Sequence, residues 1–227
     1  MSRIFDFILG LLKWPTAIFL LLSIPALISS FDYFNYMQPK FYAMGAGIGF
    51  YILTIMVAGY NTCHTLQVVS HELTHTLFAA LTFHDAGKVR INPDGSGGSM
   101  MLKGKGNWLI TLSLYFFPLF AFIYMLIMPG LLKMSADNWM VHAVFGYFIA
   151  YYWVTVLEQV HPKQTDIIKE GYIYSAIVIV GANLYTTGIV LAFNSKLWAG
   201  VEVYLRLVAK LNVDNWRHLY ELIAHNF

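Results

Sequence analysis

Long apolar runs recur along the chain, separated by short polar or glycine-rich stretches. A helix needs about 20 mostly apolar residues to cross a bilayer. Runs of roughly that length predict about six transmembrane helices, at residues 14–31, 41–60, 64–83, 107–133, 138–157 and 172–194. We therefore expect an all-α polytopic membrane protein. The fourth helix should bend near Pro118, because proline lacks the backbone N–H.

A polar, glycine-rich segment at residues 84–106 interrupts this helical pattern. Pro93-Asp94-Gly95 favours a turn, and a short strand-like run lies on each side of it. The segment therefore predicts a small β-hairpin directly after the third predicted helix.

The C-terminal residues, 195–227, mix charged and apolar positions instead of forming one continuous apolar run. That pattern is typical of amphipathic helices, which we expect to lie on the surface rather than to span. The sequence contains no evident linker or internal repeat. We therefore expect one membrane-embedded domain over residues 1–227, with a core at about 64–194 followed by this tail.

Composition and charge narrow the class of protein further. Hydrophobic residues make up 58% of the chain and charged residues 11%, whereas about a quarter of an average soluble domain is charged. The net charge of +2, from scattered basic residues, argues against a nucleic-acid partner. The single cysteine, Cys63, excludes an intrachain disulfide and a Cys-rich metal site. We expect a multi-pass protein of a bacterial-type cytoplasmic (inner) membrane, surrounded by the lipid bilayer, with its oligomeric state left open.

The third predicted helix carries His71-Glu72-Leu73-Thr74-His75, an H-E-x-x-H motif. Residues four apart lie on the same face of a helix, so His71 and His75 can hold one zinc ion together. Glu72 lies beside them, where it could take a proton from a zinc-bound water. Ionisable groups are costly at membrane depth unless they have a function, so the motif indicates a catalytic metal site.

A catalytic zinc usually has three protein ligands, so a third ligand is expected elsewhere in the chain. The candidates in the polar stretch after the fifth predicted helix are Glu158, His161, Asp166 and Glu170. Asp166 is preferred, because irregular backbone beside a span can direct a carboxylate into a protein-lined cavity. Glu158 or Glu170 as the ligand would describe a membrane metalloprotease of another type, with a chamber open to water.

These features resemble the site-2 protease family of intramembrane zinc metalloproteases. The resemblance rests on the H-E-x-x-H motif of a membrane helix, the glycine-rich segment directly after it, and Asp166 about 90 residues downstream. It covers roughly residues 64–175, and the segment K-V-R-I-N-P-D-G-S-G is similar to a divergent, single-domain branch without a PDZ module. The resemblance implies that His71, His75 and Asp166 bind zinc and that Glu72 is the general base.

The function implied by the resemblance is hydrolysis of peptide bonds in or near transmembrane segments of membrane proteins. Such a segment must unwind before attack, and the hairpin at residues 88–102 would hold it as an extended strand. Gly97, Gly98 and Asn107 are the candidate residues for positioning the substrate, and Asn183 could offer a further amide. The alternative is a non-proteolytic membrane scaffold or complex subunit that retains a metal site.

Overall fold

The computed structural model is a bundle of long helices with one small β-sheet between the third and fourth helices. It describes residues 1–58, 61–91, 98–102, 106–134 and 138–226. The helices of this described part are α1 (Ser2–Ser30), α2 (Pro39–Ala58), α3 (Asn61–Leu81), α4 (Trp108–Leu112), α5 (Leu119–Met134), α6 (Asn138–Gln159), α7 (Thr165–Glu170) and α8 (Tyr172–Asn226). The strands are β1 (Ala86–Ile91) and β2 (Gly98–Leu102), and short 3₁₀ turns occupy Phe31–Tyr33 and Ser113–Tyr115.

Among the described residues, four stretches of helix are long and apolar enough to cross a membrane. They are Ser2–Tyr33, Pro39–Val57, Asn138–Gln159 and Tyr172–His218. A fifth candidate arises if α4 with its following 3₁₀ turn and α5, which are bent by 75° relative to each other, count as one span. The bend falls at the predicted position, next to Pro118.

The described residues contain four or five candidate spans, where the sequence predicts about six, and α3 is the predicted span that is not among them. α3 forms over nearly the predicted residues, but it is not among the candidate spans of the described chain. Its polar residues, among them Gln67, Glu72 and the motif histidines, lower its mean hydropathy. Leu66, Leu73 and Leu81 are nevertheless exposed, whereas Glu72 and Gln67 are buried. α3 is thus a helix with its polar side facing the interior of the bundle.

The most extensive contact between helices of the described chain joins α2 to α6 through small residues. A Cβ atom at Gly47 would overlap the carbonyl oxygen of Ala143, and one at Gly146 would overlap the carbonyl of Met44. Glycine lets two backbones approach this closely, which is the usual way for helices to pack within membranes. Around this crossing lies the largest cluster of buried side chains, which includes Phe145.

The predicted amphipathic tail is helical, and it folds back along the rest of α8. The chain reverses near Leu197, where the backbone angles (φ 54°, ψ −144°) are not helical. A Cβ atom at Gly188 would overlap the ring of Tyr204, so the two halves of α8 lie side by side. Val201, Tyr204 and Val208 bury one face of the second half. Its location on a membrane surface stays a prediction.

The β-sheet follows α3 directly, as the sequence predicts. β1 and β2 pair antiparallel, with Val89 opposite Met100 and Ile91 opposite Gly98. The predicted turn, Pro93-Asp94-Gly95, and Gly97 lie outside the described residues. The sheet packs against α3, which brings its strands to the helix that carries the H-E-x-x-H motif.

Candidate metal centre

The two histidines of the motif converge on the interior side of α3. The Nε2 atoms of His71 and His75 lie 3.2 Å apart, because residues four apart share one face of the helix. His75 is buried and His71 is half-buried. The prediction that these residues are helical is confirmed. The helix brings the two imidazoles close together, because it places residues four apart on one face.

Asp166 comes close to this pair from α7. Its Oδ2 atom lies 3.9 Å from His71 Nε2 and 3.6 Å from His75 Nε2. One ligand atom from each of the three residues falls within 4.8 Å of the other two. Within the part of the chain that the structure describes, these three side chains are the group of histidine and acidic residues that could hold a metal ion. We call them the metal group.

The other candidate ligands have different partners. Glu158 accepts a hydrogen bond of 2.7 Å from the side-chain amide of Gln67. Glu170 forms an ion pair of 2.7 Å with Lys13. His161 is exposed, and its Nδ1 atom accepts from the backbone N–H of Lys163. The geometry therefore favours Asp166 over Glu158, His161 and Glu170 as the third ligand.

Both imidazoles are oriented by hydrogen bonds at the nitrogen that faces away from the group. The Nδ1–H of His75 donates to the backbone carbonyl of Ile110, at 2.8 Å. His71 Nδ1 lies 3.4 Å from the side-chain oxygen of Gln159. A bond at Nδ1 fixes the tautomer and leaves the lone pair of Nε2 free, as it is in metal-binding histidines. Gln159 and Ile110 had no signal in the sequence, because each contact joins residues far apart along the chain.

The donor set fits zinc. Two imidazole nitrogens and one carboxylate oxygen are the ligands of many catalytic zinc sites, where the fourth position stays open to water. Burial, together with the neighbouring His75, lowers the pKa of His71, and α3 lies outside the candidate spans. The lowered pKa favours the neutral imidazole, which is the form that binds a cation.

Glu72 lies against the β-sheet, at the start of β2. It is 6% exposed. A Cβ atom at Gly98 would come within 2.8 Å of Glu72 Cγ and 3.1 Å of its carboxylate oxygen Oε1. Only a residue without a side chain therefore lets β2 pass this close to Glu72. The base candidate of the motif and the strand candidate for substrate binding are thus neighbours.

A comparison with protein-family models matches residues 43–160, more than half of the chain, to the Peptidase M50B-like family. The chain belongs to this family. Searches of the curated proteins and of the solved structures found no match to this chain. The family is related to the site-2 proteases, as the sequence predicted, and membership implies a metallopeptidase. The match includes the H-E-x-x-H motif and ends before Asp166.

Two further candidates in this M50B-like chain use their side chains inside the fold. Asn107 caps α4, because its Oδ1 atom accepts from the N–H of Ile110 at 3.1 Å. The amide of Asn183 donates to the backbone carbonyl of Tyr115 at 2.8 Å, which joins α8 to the turn after α4. Substrate contacts by Asn107, Gly97 and Gly98 stay predictions.

Proposed function

We propose that this chain is a zinc-dependent intramembrane endopeptidase that hydrolyses peptide bonds in or near transmembrane segments of membrane proteins. The observation that carries the proposal is the convergence of His71, His75 and Asp166 beside the buried carboxylate of Glu72. A purely structural zinc site needs no base and usually closes its fourth position with protein. The candidate spans of this peptidase-family chain support a multi-pass location, in our proposal the cytoplasmic membrane of a bacterial-type cell.

In this proposal His71, His75 and Asp166 hold the zinc ion. Zinc bound there supplies a Lewis acid for the scissile carbonyl and lowers the pKa of water to about 7. Glu72 accepts the proton of the attacking water and passes it to the leaving amine. Gln159 and the carbonyl of Ile110 accept hydrogen bonds from Nδ1 of the two imidazoles. These bonds keep the proton on Nδ1 and leave Nε2 free to bind the ion.

The substrate must present an extended backbone, because the carbonyls of a helical segment are engaged in hydrogen bonds along the helix. A strand added to a sheet edge replaces those lost bonds with new ones. The contact between Gly98 and Glu72 supports this mode of binding, since a segment held along β2 would lie close to the base. The proposed substrate is therefore a membrane-spanning segment that unwinds near the sheet.

The test is the substitution Glu72→Gln in the purified full-length chain. It keeps the shape of the side chain but removes the base, so we expect one zinc ion per chain, an unchanged fold and a loss of cleavage by about 100-fold or more. Cleavage is measured on a panel of model proteins with one transmembrane segment, reconstituted with the chain in liposomes. Glu202→Gln, the same substitution at an exposed position of α8, is the matched control and should cleave like the wild type.

Two results would contradict the proposal in different ways. A zinc-loaded Glu72→Gln variant that cuts at the wild-type rate would remove Glu72 from the role of base. A wild-type chain that binds zinc and cuts no member of the panel would favour the membrane scaffold that retains a metal site.

A further inference from the structure

The first half of α1 contacts both of the short helices that support the metal group. Asp6, Leu9 and Lys13 are spaced three and four residues apart, so they share one face of α1. We call these three residues the α1 brace. All of them lie before residue 43, where the segment matched to the peptidase family begins.

On one side, the brace holds α7, which carries Asp166. α7 has six residues, and so short a helix is not stable by itself in water. Lys13 Nζ donates to the Glu170 carboxylate at 2.7 Å and to the main-chain carbonyl of the same residue at 3.2 Å. The side chain of Glu170 is 8% exposed, so salt and water screen this ion pair weakly. Glu170 lies one turn after Asp166, and its anchoring therefore fixes the helix that presents the carboxylate.

On the other side, the brace holds α4, which orients His75. The indole N–H of Trp108 donates to the carbonyl of Leu9 at 2.8 Å. The carboxylate of Asp6 accepts from the side chain of Asn107 at 3.0 Å. Asn107 in turn caps α4 at Ile110, whose carbonyl receives the Nδ1–H of His75. Hydrogen bonds thus lead in sequence from α1 to a ligand of the proposed metal.

Asp6 also has a second partner, which ties the brace to the residues that precede the β-sheet. The Nε2 atom of His84 lies 3.1 Å from each oxygen of the Asp6 carboxylate. Asp6 therefore joins α1, the start of α4 and the chain just before β1 at one point.

We propose that Asp6 and Lys13 are positioning residues for the metal group, and that the brace sets the separation between His75 and Asp166. This inference rests on the metal site of the proposed function. His75 and Asp166 belong to elements that are remote in sequence. α1 is a common support to which α4 and α7 are both hydrogen-bonded, and α4 and α7 also contact each other through Lys169 and Thr111. A weakened brace should leave all three ligand side chains present, but the distance between His75 and Asp166 should vary more.

The experiment compares Lys13→Met and Asp6→Asn with the wild type, all as full-length chains in detergent. Zinc affinity is measured by competition with a chelator, and the geometry of the site by the visible absorption of bound Co²⁺. We expect each variant to bind zinc about 10-fold more weakly or worse, as is typical when a group that orients a metal ligand is removed. The Co²⁺ spectrum should change in the same variants.

Two controls separate positioning from general stability. Lys13→Arg keeps the ion pair with Glu170 and should restore both the affinity and the spectrum. Arg206→Met removes the charge from an exposed pair with Glu202 on α8 and should change neither. Thermal melting of the metal-free chains shows whether each variant is folded. The Lys13 variant tests the contact with α7, and the Asp6 variant tests the contact with α4.

The inference is overturned if both Lys13→Met and Asp6→Asn bind zinc with wild-type affinity and an unchanged Co²⁺ spectrum. It is also overturned if every loss of affinity is matched by a loss of metal-free stability that Lys13→Arg does not recover. Neither result affects the assignment of Glu72, which the cleavage assay tests separately. Conversely, a chain that binds zinc but cuts nothing would remove the proposed peptidase activity and leave the brace in place.

Discussion

At the scale of single residues, Glu72 depends on a neighbour that has no side chain. Gly98 allows β2 to pass directly over the Glu72 carboxylate, and any Cβ atom there would press on the Glu72 side chain and on Val68. The position of a catalytic group matters to within fractions of an ångström, since a misplacement of about 1 Å can cost 100-fold in rate. The small size of Gly98 is therefore what leaves room for the Glu72 carboxylate.

Gly98→Ala should lower the rate of cleavage by about 10-fold or more, because the added methyl group displaces Glu72 from the attacking water. Zinc affinity should stay at the wild-type value, since Glu72 is not among the proposed ligands. Steady-state cleavage and zinc titration measure the two effects. Gly130→Ala, where a Cβ atom would meet nothing within 4 Å, is the control. An unchanged rate in Gly98→Ala would show that the contact does not position Glu72.

Some of these residues could be predicted from the sequence and others could not, for a physical reason. The spacing of His71 and His75 is a property of one helix, so the sequence predicts that they lie on the same face. Gln159 orients His71 across 88 positions of sequence, and Lys13 reaches Glu170 across 157. Such contacts follow from how helices pack, and they produce no periodic pattern along the chain.

At the scale of elements, α2 and α6 cross through close contacts of glycine residues with backbone. Gly47 and Gly146 face backbone carbonyls of the opposite helix. Backbone atoms cannot rotate away as the end of a side chain can, so the two helices must separate to admit even a methyl group. α6 ends at Gln159, and a shift of α6 would move the partner of His71.

Gly47→Ala should therefore lower the free energy of unfolding by about 1–3 kcal/mol, the usual cost of inserting a methyl group into a well-packed contact. Thermal unfolding in detergent measures it. Gly49→Ala lies on the same helix in open space, with nothing within 4 Å of an added Cβ atom, and should melt like the wild type. Equal melting of the two variants would show that the glycine crossing contributes no stability.

The elements were easier to predict than the number of spans. The fifth predicted helix, 138–157, nearly coincides with the observed α6 (Asn138–Gln159). Polar residues at both ends of a long apolar run mark where the helix begins and ends. Length and a mostly apolar composition predict α3 as a span, although many of its buried side chains are polar. A buried polar face is compensated by tertiary contacts such as Gln67–Glu158, which the one-dimensional pattern does not contain.

At the scale of the whole molecule, the metal group connects segments that are far apart in sequence. α3 and α7 contribute its three side chains, and α1, α4 and α6 orient or anchor them. A cation that binds the folded chain but not the unfolded one stabilises all these elements together.

Zinc should therefore raise the free energy of unfolding by about 2.7 kcal/mol at a free concentration 100-fold above its dissociation constant. Removal of zinc with a chelator should lower the melting temperature correspondingly. Asp166→Ala, which lacks one ligand, should bind zinc weakly and melt at the same temperature with or without the chelator. A wild-type chain whose melting does not respond to zinc would contradict the proposed centre.

The position of α7 has a consequence for how relatives of this chain are compared. The segment matched to the family ends at residue 160, before α7 supplies Asp166. A genome survey based on that segment alone would not distinguish relatives that keep the proposed third ligand from relatives that have lost it. An acidic residue at the site of Asp166, together with a cation at the site of Lys13, would be the test that sorts the two groups.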